Sequence, residues 1–385
     1  MKRKYLISLG IILGGGMLTS NLINSSAAPA DLATDTKTAQ SSRDPAAHHK
    51  PDGGYQNTAA NFTENSGMGT ILMRYLTETR VDASPSKAIP LMSLTRERLS
   101  TLPDTQDSVI RLGHSSILLK ISGQTWLIDP VFSNRASPFS FIGPKRFHQP
   151  PISLTDLPEI DGVLISHDHY DHLDEASIKQ LHHKVRRFIV PLGVEQHLFR
   201  WGVTRDKVQS LDWWQSVTLD DIYITATPTQ HFSGRGLLDK NQTLWASYVI
   251  QSDKSKLFFS GDSGYFDGFK AIGERFGPFD LTMIETGAYD KDWPSIHMTP
   301  EQSLQAHLDL GGRQMMPIHN GTFDLAFHSW YEPLERIATL AADADTPLVT
   351  PVVGQILDIH NTPESVAWWR ELVNLPKLAL AAQNQ

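Results

Sequence analysis

One segment limits what this chain can become more than any other: Ile165-Ser166-His167-Asp168-His169-Tyr170-Asp171-His172-Leu173. The apolar run at 163–166 reads as a short buried strand and delivers the chain straight into it. His167 and His169 are two apart, so on an extended strand end they point the same way and can grip one cation together. Asp171 and His172 follow where the chain turns into a helix beginning near Asp174, and can reach a second cation close by. Imidazole and carboxylate are the donors that borderline divalent metals such as zinc take in catalytic sites. The chain has no cysteine, so disulfides, thiolate ligands and thiol nucleophiles are excluded, and any metal is held by histidine and carboxylate.

Four residues do not complete two sites. Three more candidates stand at the ends of predicted strands: His231 after 222–227, Asp262 in Ser260-Gly261-Asp262-Ser263-Gly264, and His319 after 314–318. Alone, each reads as a structural histidine or a turn. In this order, behind the histidine cluster, they read as a convergent two-metal centre. Two divalent metals there would share a bridging water whose pKa falls toward neutrality, with Asp262 the natural bridging carboxylate. Asp171 is both a ligand and a proton handler near the leaving group. Such a centre suits phosphodiesters, thioesters, lactones and amides alike.

The formal net charge is −8, and that acidic balance argues against a nucleic-acid partner, which needs a basic face. At the N-terminus Lys2-Arg3-Lys4 precede an apolar run, and Ser25, Ser26, Ala27, Ala28 and Ala30 follow it. This is the pattern of an export signal over residues 1–30. The run is interrupted by Gly10 and Gly14, Gly15 and Gly16 and falls short of the ~20 apolar residues of a spanning helix. The expected location is periplasmic or secreted, with membrane association compatible. Residues 31–105 read as a leader and N-terminal extension, flexible to about residue 69 because large apolar residues are few. A short helix containing Ile71, Leu72, Tyr75 and Leu76 is expected to dock on the main body.

A dense β/α pattern occupies 106–375. Strands are predicted at 109–112, 115–121, 125–129, 163–166, 188–190, 222–227, 245–251, 256–260, 281–285 and 314–318. Thr299-Pro300-Glu301-Gln302 is a capping-box helix start, and Gly311-Gly312 closes that helix. Strands interleaved with helices make an α/β architecture.

The order His-x-His-x-Asp-His, then His, Asp and His, resembles the ligand pattern of the metallo-β-lactamase superfamily. That resemblance implies a four-layer αββα sandwich. It implies His167, His169 and His231 on a first metal, Asp171, His172 and His319 on a second, Asp262 as the bridge, and Asp129 as the buried prop of the histidine loop. Longer motifs are similar to the N-acylphosphatidylethanolamine-hydrolysing phospholipase D family: Gly113-His114-Ser115-Ser116, Asp129-Pro130-Val131-Phe132-Ser133, Gly143-Pro144-Lys145-Arg146-Phe147, Leu211-Asp212-Trp213-Trp214 and His319-Asn320-Gly321-Thr322-Phe323. The resemblance implies hydrolysis of a phospholipid phosphodiester to phosphatidic acid and an N-acylethanolamine, on two divalent metals. Zinc is the first candidate, and iron and manganese are also compatible. His297, in Ile296-His297-Met298-Thr299-Pro300, matches a histidine near the metals in that family and implies a contact with phosphate or a proton-transfer role. Two places depart from the pattern: Glu285-Thr286 where small or apolar residues are expected, and Asn320 in place of an aromatic residue.

The expected partner is thus a phospholipid or other small diester, with peripheral membrane contact compatible and the oligomeric state open. The same metal set would serve a lactonase or carboxylic-ester hydrolase. A phospholipid enzyme needs an apolar channel, for which Phe139, Phe141, Trp213 and Trp214 are candidates, core packing being the competing role.

Overall fold

The computed structural model describes residues 46–373, apart from 61 and 64. In it the alternating apolar residues resolve into two sheets. The first contains β1 (Ser108–Gly113), β2 (Ser116–Ile121), β3 (Gln124–Ile128), β4 (Gly162–Leu164), β5 (Phe188–Pro191) and β6 (Val208–Leu211). The second contains β7 (Ser216–Leu219), β8 (Ile222–Thr227), β9 (Ser247–Gln251), β10 (Lys256–Phe259), β11 (Leu281–Glu285) and β12 (Met315–Ile318). A last strand, β13 (Ile356–Asp358), returns to the first sheet and pairs antiparallel with β1. The strand orders are β13-β1-β2-β3-β4-β5-β6 and β12-β11-β10-β9-β8-β7. Each sheet is antiparallel at one end and parallel at the other, β3 to β6 in the first and β10 to β12 in the second.

The period of two along a strand decides which side each residue packs on. Ile117, Leu119, Trp126 and Ile128 turn inward to meet Ile224, Tyr248, Phe259 and Met283 of the other sheet. Leu118, Leu127, Val163 and Phe188 turn outward under α3 (Glu175–Leu181) and α4 (Glu195–Arg200), through Ile178, Leu181 and Leu198. On the far side α5 (Gly268–Phe276) and α6 (Pro300–Leu310) cover Val249, Phe258, Ile284 and Met315. The result is the four-layer αββα sandwich expected. Both sheets are buried on both faces, which is why their central strands read as near-continuous apolar runs.

The capping box at Thr299 forms, with Gln302 N–H donating to Thr299 Oγ1 and the Gln302 side chain accepting from Thr299 N. Gly311 ends α6 at φ 66°, where a left-handed conformation favours glycine. The strands that the sequence did not disclose are β6, β7 and β13, and all three lie at sheet edges. An edge strand packs on one neighbour only, and these carry exposed Gln209 and Thr218 and half-buried Asp358 in place of an apolar run.

The N-terminal side holds a difference. The described residues between 46 and 66 do not lie free, as a flexible leader would; polar anchors hold them on the body, among them His48 and His49 on Asp212 and Asn57 on the His231 backbone. Hydrogen bonds hold this segment together with the packing of Tyr55, Ala59 and Phe62 on the apolar clusters beneath it, and composition does not reveal those hydrogen bonds. The expected docked helix forms as α1 (Met68–Thr77), with Ile71 buried against Trp293 and Phe327 while Leu72, Met73 and Leu76 face outward. Further on, Leu94 and Leu99, the latter on α2 (Arg96–Ser100), enter the apolar layer beneath the first sheet. The export-signal segment and the leader before residue 46 lie outside the described residues. Among the described residues no helix is long and apolar enough to cross a membrane.

One local fit is testable. Gly162 on β4 pairs with Trp126 on β3, and a Cβ there would stand 2.1 Å from the indole. We expect Gly162→Ala to cost about 1–3 kcal/mol of stability by overpacking, read as a lower urea midpoint at unchanged m-value. An unmoved midpoint would mean that the strand pair can shift to admit the methyl.

Candidate metal centre

The two sheets place their strand ends at one site. Asp129 follows β3, the histidine cluster follows β4, His231 follows β8, Asp262 follows β10, Glu285 ends β11 and His319 follows β12. Carboxyl ends of strands are where side chains from several loops converge in α/β folds. The chain thus brings together all seven residues marked as ligands by sequence, along with His297.

His167, His169 and His231 form one group whose ligand atoms lie within 4.8 Å of one another. His167 Nε2 is 3.0 Å and His231 Nε2 is 3.2 Å from His169 Nδ1. Asp171, His172 and His319 form a second group, joined by His114. There Asp171 Oδ2 lies 3.3 Å from His319 Nε2 and 3.7 Å from His172 Nε2. Asp262 stands between the groups. Its Oδ2 is 3.1 Å from His319 Nε2, 3.2 Å from His172 Nε2, and 3.7 Å from Nε2 of both His167 and His231.

Hydrogen bonds behind the ligands set which nitrogen faces the centre. His172 Nδ1 donates to Asp129 Oδ2 at 2.7 Å, which leaves Nε2 inward. His231 Nδ1 donates to the Ile296 carbonyl at 3.0 Å with the same consequence. Ser166 Oγ donates to Asp129 Oδ2 at 2.6 Å, so its lone pair is available to His167 Nδ1 at 2.9 Å. Such outer partners orient ligands and raise their basicity.

The donor set fits divalent cations. Burial pushes His167 and His231 well below the usual imidazole range and His169 below it, so three neutral lone pairs face one point. Tetrahedral ligands at ~2.0–2.1 Å from a metal stand about 3.3 Å apart, close to the spacings seen. In the second group, Asp262 and Asp171 overcome the opposing effect of burial and raise His319 to about 10 and His172 well above its ordinary value. Buried Asp262 and half-buried Asp171 therefore call for positive charge at this point, which a dication would supply. Finally, His172 Nε2, His319 Nε2 and Asp262 Oδ1 are buried without a hydrogen-bond partner. Buried polar atoms are seldom left so without a ligand or ion nearby.

Access is one-sided. The side chains of Asp171 and His297 keep 15% and 14% exposure, against 2% or less for Asp262, His172 and His231. The His297 ring centroid lies 5.2 Å from those of both His231 and His319, and Nδ1 is bound to the Glu285 carboxyl group. Burial lowers His297 to about 4.

Sequence reasoning missed three partners of the centre. His114 holds Asp171 Oδ2 through Nε2 at 3.1 Å; its signal was the Gly113-His114-Ser115-Ser116 motif, which carried no role. Glu285, noted only as a departure, is fully buried, accepts Ser263 N–H at 2.6 Å beside Asp262, and orients His297. Asn320, the other departure, accepts from buried Arg111 at 2.8 Å through Oδ1 and steadies the turn after His319. Asp168, inside the cluster, faces away and binds Gly234 N–H and Thr243 Oγ1. Of the aromatic residues considered for a channel, Trp213 is buried in the core between the sheets and Trp214 packs on it. Phe139 and Phe141 are exposed.

Comparison with known proteins agrees with this geometry. The model of the Beta-lactamase superfamily domain matches residues 124–320, a span that includes every candidate ligand. An uncharacterized protein of Mycobacterium tuberculosis is 40% identical over 350 residues, 89% of this chain and 92% of that protein. The N-acyl-phosphatidylethanolamine-hydrolyzing phospholipase D 1 of Caenorhabditis elegans is 38% identical over 264 residues, 64% of this chain and 74% of that protein. Among solved structures, Igni18, a metallo hydrolase from the archaeon Ignicoccus hospitalis, is similar in fold with a TM-score of 0.50. It is 20% identical and covers 66% of this chain and 97% of its own. The fold implies divalent metal ions, and the His/Asp groups are of the kind that holds them.

Removing the support behind one ligand tests the centre. Asp129→Asn replaces a carboxylate that receives His172 and Ser166, and we expect ~10–100-fold weaker metal affinity in competition with a chelator. Unaltered affinity would show that Asp129 has no part in holding the metal.

Proposed function

The chain belongs to the beta-lactamase superfamily and is a metal-dependent hydrolase of that fold; from that premise we propose that it is a binuclear phosphodiesterase of the phospholipase D type, acting on N-acylphosphatidylethanolamine or a related phospholipid. The observation that carries the reaction class is Asp262 Oδ2, which faces both donor groups at 3.1–3.7 Å. A pair of sites sharing one carboxylate suits in-line displacement at phosphorus, where attacking and leaving oxygens both gather charge. The substrate class is supported by the likeness to the nematode phospholipase and by the long motifs around Gly113, Asp129 and His319.

Five histidines and two aspartates suit zinc, with iron and manganese as the alternatives. Bound there, the metals supply Lewis acidity and lower the pKa of a coordinated water toward neutrality. The remaining work falls to the chain. Asp171, fixed by His114 and reachable from solvent, is placed to accept a proton. Glu285 occupies His297 Nδ1 and so leaves Nε2 for a phosphate oxygen or for the departing ethanolamide oxygen. Buried His231 and His172 close the rear of the site to bulk water.

Incubation of the zinc-loaded chain with N-acylphosphatidylethanolamine, with products resolved by mass, tests the reading. Phosphatidic acid and N-acylethanolamine should appear, vanish with a chelator or with His231→Ala, and return when zinc is added back to the chelated wild type. His297→Ala should keep its metal and lose roughly 10²–10⁴-fold in kcat, the usual worth of a proton-transferring side chain. No turnover by a chain of confirmed metal content would remove this substrate.

A further inference from the structure

The N-terminal segment 46–66 contributes little to the core, yet it reaches the metal centre from behind. Its first anchor is a closed triad: His48 Nε2 binds Asp212 Oδ1 at 2.6 Å and His49 Nε2 binds Asp212 Oδ2 at 2.8 Å. Each carboxylate oxygen thus takes one imidazole, and buried His48 also stacks on Trp213 with centroids 4.3 Å apart. Tyr55 N–H then donates to the Asn241 carbonyl at 2.8 Å.

The next contact is with a ligand. Asn57 Nδ2 donates to the His231 carbonyl at 2.7 Å, and His231 N–H donates to Asn57 Oδ1 at 3.0 Å. His231 lies beyond the end of β8 and has no exposure, so its peptide groups have left the sheet ladder and still need partners. A carboxamide supplies one donor and one acceptor side by side, as a neighbouring strand would. Further along, Thr63 N–H donates to Ser295 Oγ at 2.9 Å, and Ser66 Oγ donates to Asp292 Oδ1 at 2.8 Å. Those residues belong to the loop whose Ile296 carbonyl orients His231 and which carries His297. The segment therefore ties together the two loops that present His231 and His297.

We propose that Asn57 is a positioning residue of the metal centre, and that the strap 46–66, anchored at Asp212, sets the His231 backbone and with it the hold on the metal shared by His167, His169 and His231. The strap acts on one donor group. Asp171, His172 and His319 are held by other partners, Asp129 and His114 among them. The proposal rests on the metal-centre reading and is independent of the phospholipid substrate.

The test measures zinc affinity of the full chain by competition with a chromophoric chelator, without substrate. Asn57→Ala and Asp212→Asn should each weaken one of the two zinc ions by ~10–100-fold and leave the other at its wild-type affinity. Asn57→Asp, which keeps the acceptor and loses the donor, should fall between. Leu157→Ala, in the apolar layer between the first sheet and its helices, controls for general destabilisation and should retain both ions. Wild-type affinities in folded Asn57→Ala and Asp212→Asn, with His231→Ala impaired, would overturn the proposal alone. Wild-type affinities in His231→Ala as well would overturn it together with the metal-centre reading. If Asn57→Ala does not fold, Asp212→Asn decides, since it loosens the anchor and leaves Asn57 in place.

Discussion

Asp129 is a carboxylate with no contact with water, and the centre is organised around how it is satisfied. It takes Ser166 N–H at 2.7 Å, Ser166 Oγ at 2.6 Å and His172 Nδ1 at 2.7 Å. A buried carboxylate without such partners costs several kcal/mol, so the loop has strong reason to keep this one conformation. Through Ser166 the same group reaches His167. One side chain at the end of β3 thereby aims a ligand of each donor group, and the backbone from 166 to 172 is held between them.

Charge is the second constraint. Asp171 and Asp262 lie within the reach of five histidine nitrogens, in a region where burial alone would drive every carboxylate toward its protonated form. Both are nonetheless held well below the ordinary carboxylate range, because His172, His319 and His114 face them. Charges of this kind are stable in a protein interior only when paired, and the four-layer sandwich buries both faces of both sheets around them. The fold supplies dry walls and convergent strand ends; divalent cations complete the charge balance. Binding of metal is therefore linked to the stability of the folded chain.

The outer partners show how far the centre extends. Glu285 on His297, His114 on Asp171 and Asn57 on the His231 backbone each bring a distant part of the chain to a group in or beside the centre. None of these three is a candidate ligand by spacing. Their effect comes through orientation, which is decisive where reacting groups must sit within a fraction of an ångström of their working positions.

The sequence by itself determined the histidine cluster, the order of the downstream ligands and the central strands. Spacing along an extended strand end sets the relative direction of His167 and His169, and buried strands announce themselves as apolar runs. Even the start of α6 was legible, because a capping box is written in four consecutive residues. What only the tertiary structure decided depends on pairs far apart in the chain: Asn57 with His231, His114 with Asp171, His48 and His49 with Asp212. The edge strands β6, β7 and β13 belong to the same class, since their hydrogen bonds and not their composition make them strands. Local pattern encodes local geometry. A hydrogen bond across 174 residues exists only once packing has brought its two ends together.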